Sequence, residues 1–326
     1  MRHSFFGFNV FYNLNYKIMT DNTLGWMSVP LAILAGTLRG SAPFLFVSLG
    51  ECLTEKAGKI NLGLEGTLLT GAMTAYAVSY LTKSPWLGVF AAGMSGVVLG
   101  LIHAWLSQRP KVSDVAVGIA MIIFGSGIAF FFGKAFIQPK AEQLPLFDLG
   151  NWSSYPQVQE ALRVSPLLLI GIAIAPLMQW FFSSTRWGLY VRAVGDSPSA
   201  ARAMGISVVG VRTWAIVSGS FLAGLGGASL SLYYPGLWSE RISSGQGLMA
   251  VALVIFARWQ PIHCLWAALF FGGAQALGPS LQAVGIGSYR YLFNAFPYIL
   301  TLIIIIITCS PRRTLTGSPG ALGTNE

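Results

Sequence analysis

Residues 86–106 read WLGVFAAGMSGVVLGLIHAWL, and residues 112–132 read VSDVAVGIAMIIFGSGIAFFF. Each is close to the length that a helix rising ~1.5 Å per residue needs to cross a hydrocarbon core of ~30 Å. Only SQRPK separates them, and it carries two positive charges. Two apolar helices joined by a short basic break make a membrane hairpin. The same pattern recurs outward in both directions, with further runs at 26–49, 62–81, 166–182, 214–234, 242–257, 262–281 and 291–308. The expected fold is therefore an all-α integral membrane protein of about nine transmembrane helices, spanning 24–309. The run at 242–257 is too short to cross unless adjacent loop helps it or it is partly re-entrant. Residues 1–23 form a lead-in: Asn9, Asn13 and Asn15 interrupt the aromatics, and no apolar core precedes a cleavage site. Residues 310–326, with Arg312 and Arg313, form a polar tail.

Composition agrees. Apolar residues make up 54% of the 326-residue chain, charged residues only 10%, and mean hydropathy is +0.64; a soluble domain carries about 25% charged residues. The 38 glycines suit close approach of membrane helices. The net charge of +9 is scattered between apolar runs with no basic stripe, so it anchors loops at a bilayer surface and does not point to nucleic acid. Cys52, Cys264 and Cys309 match no disulfide or metal framework, and His3, His103 and His263 are equally dispersed, so no metal site is expected. With the sides set by this span order, eleven Lys and Arg fall on one face against eight on the other. That bias places the N-terminus outside and the C-terminus in the cytoplasm.

Three breaks in the apolar pattern carry more information. The first is GECLTEKAGKINLGLEGTLLTGA, residues 50–72. A carboxylate such as Glu65 inside an apolar run costs roughly 3 kcal/mol at mid-bilayer, so it needs a basic partner, a water-filled cavity or an interfacial position. Irregular backbone across 61–66 is tolerated only where it faces protein or water. The alternative is a structural cluster at the positive start of the second helix. Arg39, inside the first run four residues before Pro43, either pairs with Glu51, Glu55 or Glu65 or marks a helix break. Asp114, after Ser113, reads as a helix cap.

The second break is GLYVRAVGDSPSAARAMGIS, residues 188–207, within a long loop at 184–212. Ser197 and Pro198 suit an N-cap and first helical position, Ala200 to Met204 favour helix, and Gly205 suits a left-handed C-cap. A two-turn helix outside the bilayer either rests on headgroups or gives a soluble motor something to grip. The third is an echo: 62–75 resembles 243–256 when Glu65-Gly66 is set against Gln246-Gly247, the two copies running in opposite directions, as an inverted repeat requires. A further loop, 134–163, with Pro139, Pro145, Trp152, Tyr155 and Pro156, is read as an external cap or a surface facing a partner.

These motifs resemble the permeases of bacterial ABC importers for branched-chain amino acids, simple sugars and nucleosides, most closely the nucleoside branch. The resemblance covers roughly 25–323. Residues 50–66 match a Gly-Glu and then a Glu-Arg-x-Gly-x-x-Asn-Leu-Gly-x-Glu-Gly run, with Lys56 in place of Arg. Residues 192–205 match an Ala-Ala-x-x-x-Gly coupling loop, with Asp196-Ser197 where Glu-Asn is common. The resemblance implies that Arg192, Gly195, Asp196, Pro198, Ala200, Ala201 and Gly205 couple to a cytosolic ATPase. It implies a substrate pathway near Asn61, Gly63, Glu65, Gly66, Gly245, Gln246 and Gly247. It also implies a second permease subunit, related or identical, an extracytoplasmic substrate-binding protein, and a place in the bacterial cytoplasmic (inner) membrane. No phosphate loop, HExxH or GxSxG motif is present. No catalytic residue or cofactor is therefore expected in this chain, and ATP and Mg would be used by the partner ATPase. The rival class is a secondary transporter or channel for a small polar solute that works without ATP.

Overall fold

The computed structural model describes residues 28–137, 139–283, 290–308 and 317–322. The expected lead-in at 1–23 and most of the tail lie outside the described residues. Helix α1 runs Ser28–Lys56, and α2 runs Leu64–Thr82. Helices α3 (Pro85–Ser107) and α4 (Asp114–Gly133) form the hairpin predicted from 86–132. A long connection follows, holding a two-residue antiparallel pair, β1 (Phe147–Asp148) with β2 (Arg163–Val164), and the short helix α5 (Pro156–Ala161). Then come α6 (Pro166–Ser184), α7 (Arg186–Asp196), α8 (Pro198–Ala203) and α9 (Val208–Leu232). The chain continues with α10 (Gln246–Phe256), α11 (Pro261–Ala283) and α12 (Arg290–Thr308).

Helix starts follow local chemistry. Helices α3, α5, α6 and α8 open on a proline at the first or second position, where a missing N–H costs nothing and φ is already helical. Hydroxyl side chains of Ser165, Thr185 and Ser207 cap α6, α7 and α9 by accepting from Leu167 N, Gly188 N and Gly210 N.

Six helices among the described residues are long and apolar enough to cross a membrane, fewer than the nine expected spans. Helix α10 has only 11 residues. Helix α2 is diluted by threonines, glycines, two tyrosines and Glu65, and most of it is buried inside the protein.

Helices α1 and α9 form the centre. Helix α1 packs on α9 and α11, and α9 packs in turn on α2 and α3. The α1–α9 crossing is close because Gly50 and Gly219 face each other. A Cβ on either would strike the other's carbonyl oxygen.

Four expectations need correction. Helix α1 does not stop at residue 49 or break at Pro43 but continues to Lys56, because Glu51 and Glu55 are buried in protein and need not leave the helix to reach water. Arg39 pairs with none of the three glutamates. It donates to the Glu160 carboxylate at 3.1 Å and to the Glu160 carbonyl at 2.7 Å. Asp114 is an ion-pair partner of Lys59 at 2.9 Å, and Ser113 makes no side-chain capping bond. The loop at 184–212 contains two helices, since α7 precedes the expected short one. Helix α7 is amphipathic, with Trp187 and Leu189 exposed and Val191 and Val194 buried.

The connection between α4 and α6 lies over the far ends of α2 and α9. Tyr76 Oη donates to Pro139 O at 2.9 Å, Ser79 Oγ to Glu142 O at 2.6 Å, and Leu144 N to Leu232 O at 3.0 Å. Arg163 bonds to Asp148 and Glu160, which pushes its guanidinium pKa up, with Asp148 the larger cause.

The tail is also more than a polar end. Ala321 is buried, its N–H donates to Gly195 O at 2.8 Å, and Leu322 packs on the core. Deleting residues 317–326 should therefore speed amide exchange across 193–203 and leave helical content unchanged. Exchange at the wild-type rate would show that the tail does not brace that corner.

Candidate functional site

The acidic, glycine-rich segment between α1 and α2 is held from below and above by buried side chains. Helix α1 ends at Lys56 because the chain turns at Gly58, whose φ is +80°. One helical turn of α1 presents Glu51 and Glu55 inward. Glu51 Oε1 accepts the Asn61 N–H at 2.8 Å, and Glu55 accepts the indole N–H of Trp259. The first bond pins the α1–α2 turn to α1, and the second pins the α10–α11 turn. Lys59 is 7% exposed; its Nζ donates to Ser107 O at 3.0 Å and to Asp114. A buried ammonium is tolerable only with such paired, hydrogen-bonded partners. Asn61 Nδ2 reaches Ser220 Oγ at 3.3 Å on α9, whereas its Oδ1 has no partner among the described residues. His103, one of the dispersed histidines, is buried beside Gly63.

Glu65 satisfies its carboxylate in a way the sequence did not anticipate. Its Oε1 accepts from Ser243 Oγ at 2.5 Å and from Gly245 N at 3.1 Å, and its Oε2 accepts from Gly247 N at 2.7 Å. The carboxylate thus caps the N-terminus of α10, where unsatisfied amides and the helix dipole both favour an anion. No basic residue is involved, and the helix served is not Glu65's own. Contact is intimate: a Cβ on Gly247 would lie 2.6 Å from the Glu65 Cα, and one on Gly125 would lie 2.7 Å from the Gly66 carbonyl carbon.

Of the pathway residues named from sequence, Glu65 therefore meets Gly245 and Gly247, whereas Gly66 faces Met121 and Ile122 on α4. Asn61 instead faces Glu51 and α9, and Gly63 faces Met121 on α4. Gly245, with φ +80°, borders open space. Gln246 is buried and donates to Gln275 on α11 at 3.3 Å, and its Oε1 is unpaired among the described residues. Ser220, Trp259 and Gln275 were missed by sequence reasoning, and Ser243 entered it only as the first residue of the echo at 243–256. Nothing local marks them, since each is an ordinary residue in an apolar or loop context.

The second cluster sits at the other side of the α1–α2 turn. Ser197 Oγ accepts from Ala200 N at 3.3 Å and caps α8. At the far end Gly205 has φ +78°. Its N–H donates to Arg202 O at 2.9 Å, and the Ile206 N–H donates to Ala201 O at 3.0 Å. This pair of bonds is a Schellman closure, which needs a left-handed residue at that position. Pro198 and Ala201 face inward, while Asp196, Ala200 and Gly205 are exposed and Arg192 is half-buried. Met204 at the tip is 78% exposed. Gly195 is buried against α1, where a Cβ would strike the Lys56 carbonyl, and Arg212 Nε donates to Ala57 O at 3.3 Å. The α8 corner is thereby in direct contact with the α1–α2 turn. Among the described residues no group of three or more His, Cys, Asp and Glu could hold a metal ion.

Comparison with known proteins identifies the family. The family described as branched-chain amino acid transport system / permease component matches residues 33–308. A Haloferax volcanii protein provisionally named a glucose ABC transporter permease is 34% identical, over 80% of each chain. The guanosine ABC transporter permease protein of Bacillus subtilis is 30% identical, over 84% of this chain and 90% of its own. A nucleoside ABC transporter permease protein of Lactococcus lactis is 27% identical, over 84% of this chain and 91% of its own. Six membrane-length helices, a capped helix braced on the first of them, and a family match across most of the length converge: this chain belongs to the branched-chain amino acid transport system permease component family of ABC transporters.

Proposed function

We propose that this permease subunit serves an importer of nucleosides or simple sugars, and that α8 is the helix gripped by the cytosolic ATPases. The observation that carries the coupling reading is the contact between the α8 corner and α1. Gly195 abuts Lys56, and the same turn leads through Asn61 and Glu65 to the start of α10. A push on α8 has a continuous packed route to a segment where Gln246 Oε1, unpaired among the described residues, lies beside the open space at Gly245. The apolar tip at Met204 suits burial in a protein cleft better than water.

On this reading the α8 end is cytoplasmic, and the α4–α6 connection faces an extracytoplasmic binding protein. A second permease subunit completes the pathway. The meeting of Glu65 with Gly245 and Gly247 supports an inverted repeat, because paired irregular segments at a shared midplane are its expected product. The names of the relatives support nucleoside or sugar cargo.

Radiolabelled uptake with the binding protein and ATPases supplied, tested against guanosine and glucose, examines the cargo. Saturable uptake of neither would sink it. In the same assay Gly205→Val should lower uptake severalfold while insertion and ATPase abundance stay normal. A β-branched residue at φ +78° costs on the order of 1–2 kcal/mol, and the open space around Gly205 confines the damage to the cap. Asp196→Ala should act in the same direction. Unchanged uptake in both variants would remove the coupling role.

A further inference from the structure

A groove of about 940 Å³ lies between α1, α11 and the start of α12 and takes no part in the site above. We propose that it holds an acyl chain of an anionic phospholipid, with the headgroup at Arg258 and His263. The proposal rests on the membrane-spanning reading with α8 at an aqueous face.

Its two ends differ chemically. Arg258 and His263 stand exposed at the α8 end, beside the turn that Trp259 ties to Glu55. From there the lining is apolar along α11 as far as Leu277. At ~1.5 Å per residue, the helix from His263 to Leu277 covers about 21 Å, more than the ~15 Å of one leaflet's hydrocarbon. Trp266 and Phe270 line this stretch at 64% and 54% exposure, so the aromatic wall has no protein cover. A basic end and an apolar length between membrane helices match an anionic lipid in both of its parts.

Polar cargo does not fit here. Thr37, the hydroxyl in the lining, already donates to Ile33 O at 2.7 Å. A second copy of the chain fits poorly too, because Arg258 would need an acid from it. Glu51, Glu55 and Glu65 are buried, and Asp114 is paired with Lys59. Asp148 and Glu160 are paired in the α4–α6 connection, and Glu142 and Glu240 also lie at the end away from α8. Asp196 is the one exposed carboxylate left at the α8 end among the described residues.

The test is native mass spectrometry of the full chain in detergent, exposed to phosphatidylglycerol or to phosphatidylcholine. The wild type should retain phosphatidylglycerol preferentially. Arg258 sits at φ 51°, so Arg258→Gly removes the cation without straining the backbone. It should cut the preference about fivefold, which corresponds to the about 1 kcal/mol that one arginine contributes near an anionic surface. Arg258→Lys should preserve the preference. Gly273→Leu, which fills the groove, should reduce retention of both lipids. Equal retention of the two lipids by the wild type would overturn the proposal. So would an undiminished preference in Arg258→Gly, or crosslinking between copies through Trp266→Cys in native membranes. The lipid readout needs no transport, so a failed uptake assay bears on the permease reading alone.

Discussion

Glu65→Leu is expected to abolish uptake and lower the melting temperature of the purified protein. The substitution keeps an apolar side chain in an apolar place and would look conservative on hydropathy alone. It strips the acceptor from Ser243 Oγ, Gly245 N and Gly247 N together. The two amides open α10, an 11-residue helix too short to hold its place without an anchor at its start. Leaving a buried donor unpaired costs about 1–3 kcal/mol, so the combined loss is on the order of 3 kcal/mol or more. Glu65→Gln should recover part of the stability and little of the uptake, because its amide group would present donors to the Gly247 N–H. Thermal unfolding in detergent, run beside uptake, checks both. Wild-type melting in Glu65→Leu would show that the carboxylate is not what holds α10.

Gly219→Leu should do still more damage, and earlier, at the level of assembly. Gly50 and Gly219 meet backbone to backbone where the two central helices cross, and no rotamer can relieve a clash between a Cβ and a main-chain oxygen. Forcing α1 and α9 apart separates the surfaces on which α2, α3 and α11 pack. Overpacking of this kind costs about 3 kcal/mol or more, and little protein should survive in the membrane fraction. Gly127→Leu is the matched control. A Cβ there meets nothing within 4 Å, so the same addition on α4 should leave abundance unchanged. Equal abundance of the two variants would refute the close crossing.

Both predictions concern residues whose type was visible in the sequence and whose partners were not. Glu65 stood out as a carboxylate in an apolar run, and the expected remedies were a cation, water or its own helix. The observed remedy is the start of α10, whose amides at Gly245 and Gly247 lie 180 and 182 residues further along the chain. Arg39 raised the same question and was answered by Glu160, 121 residues away. Asp114 was read as a cap because Ser and Asp before an apolar helix are ordinary capping residues; Lys59, 55 residues earlier, claimed it first. In each case the residue announces a need, and only proximity in space decides how the need is met. The α8 motif behaved differently, since Ser197, Pro198 and Gly205 act on backbone within a few residues of themselves. Residue order alone makes its caps legible.

By itself the sequence determined that this is a helical membrane protein, and where most helices begin and end. Apolar length, proline starts and hydroxyl caps are local quantities that need no distant partner. It also marked the Gly- and Glu-rich break near residue 61 and the capped helix near residue 200 as the places where the apolar rule fails. The tertiary structure alone decided that those two breaks touch through Gly195 and Lys56. It decided that the carboxylate of one break holds the start of α10, and that α2 is covered mainly by protein. The reason is physical: hydropathy ranks each segment's preference for an apolar medium. Lipid and protein interior satisfy that preference alike, and only packing determines which of the two a helix meets.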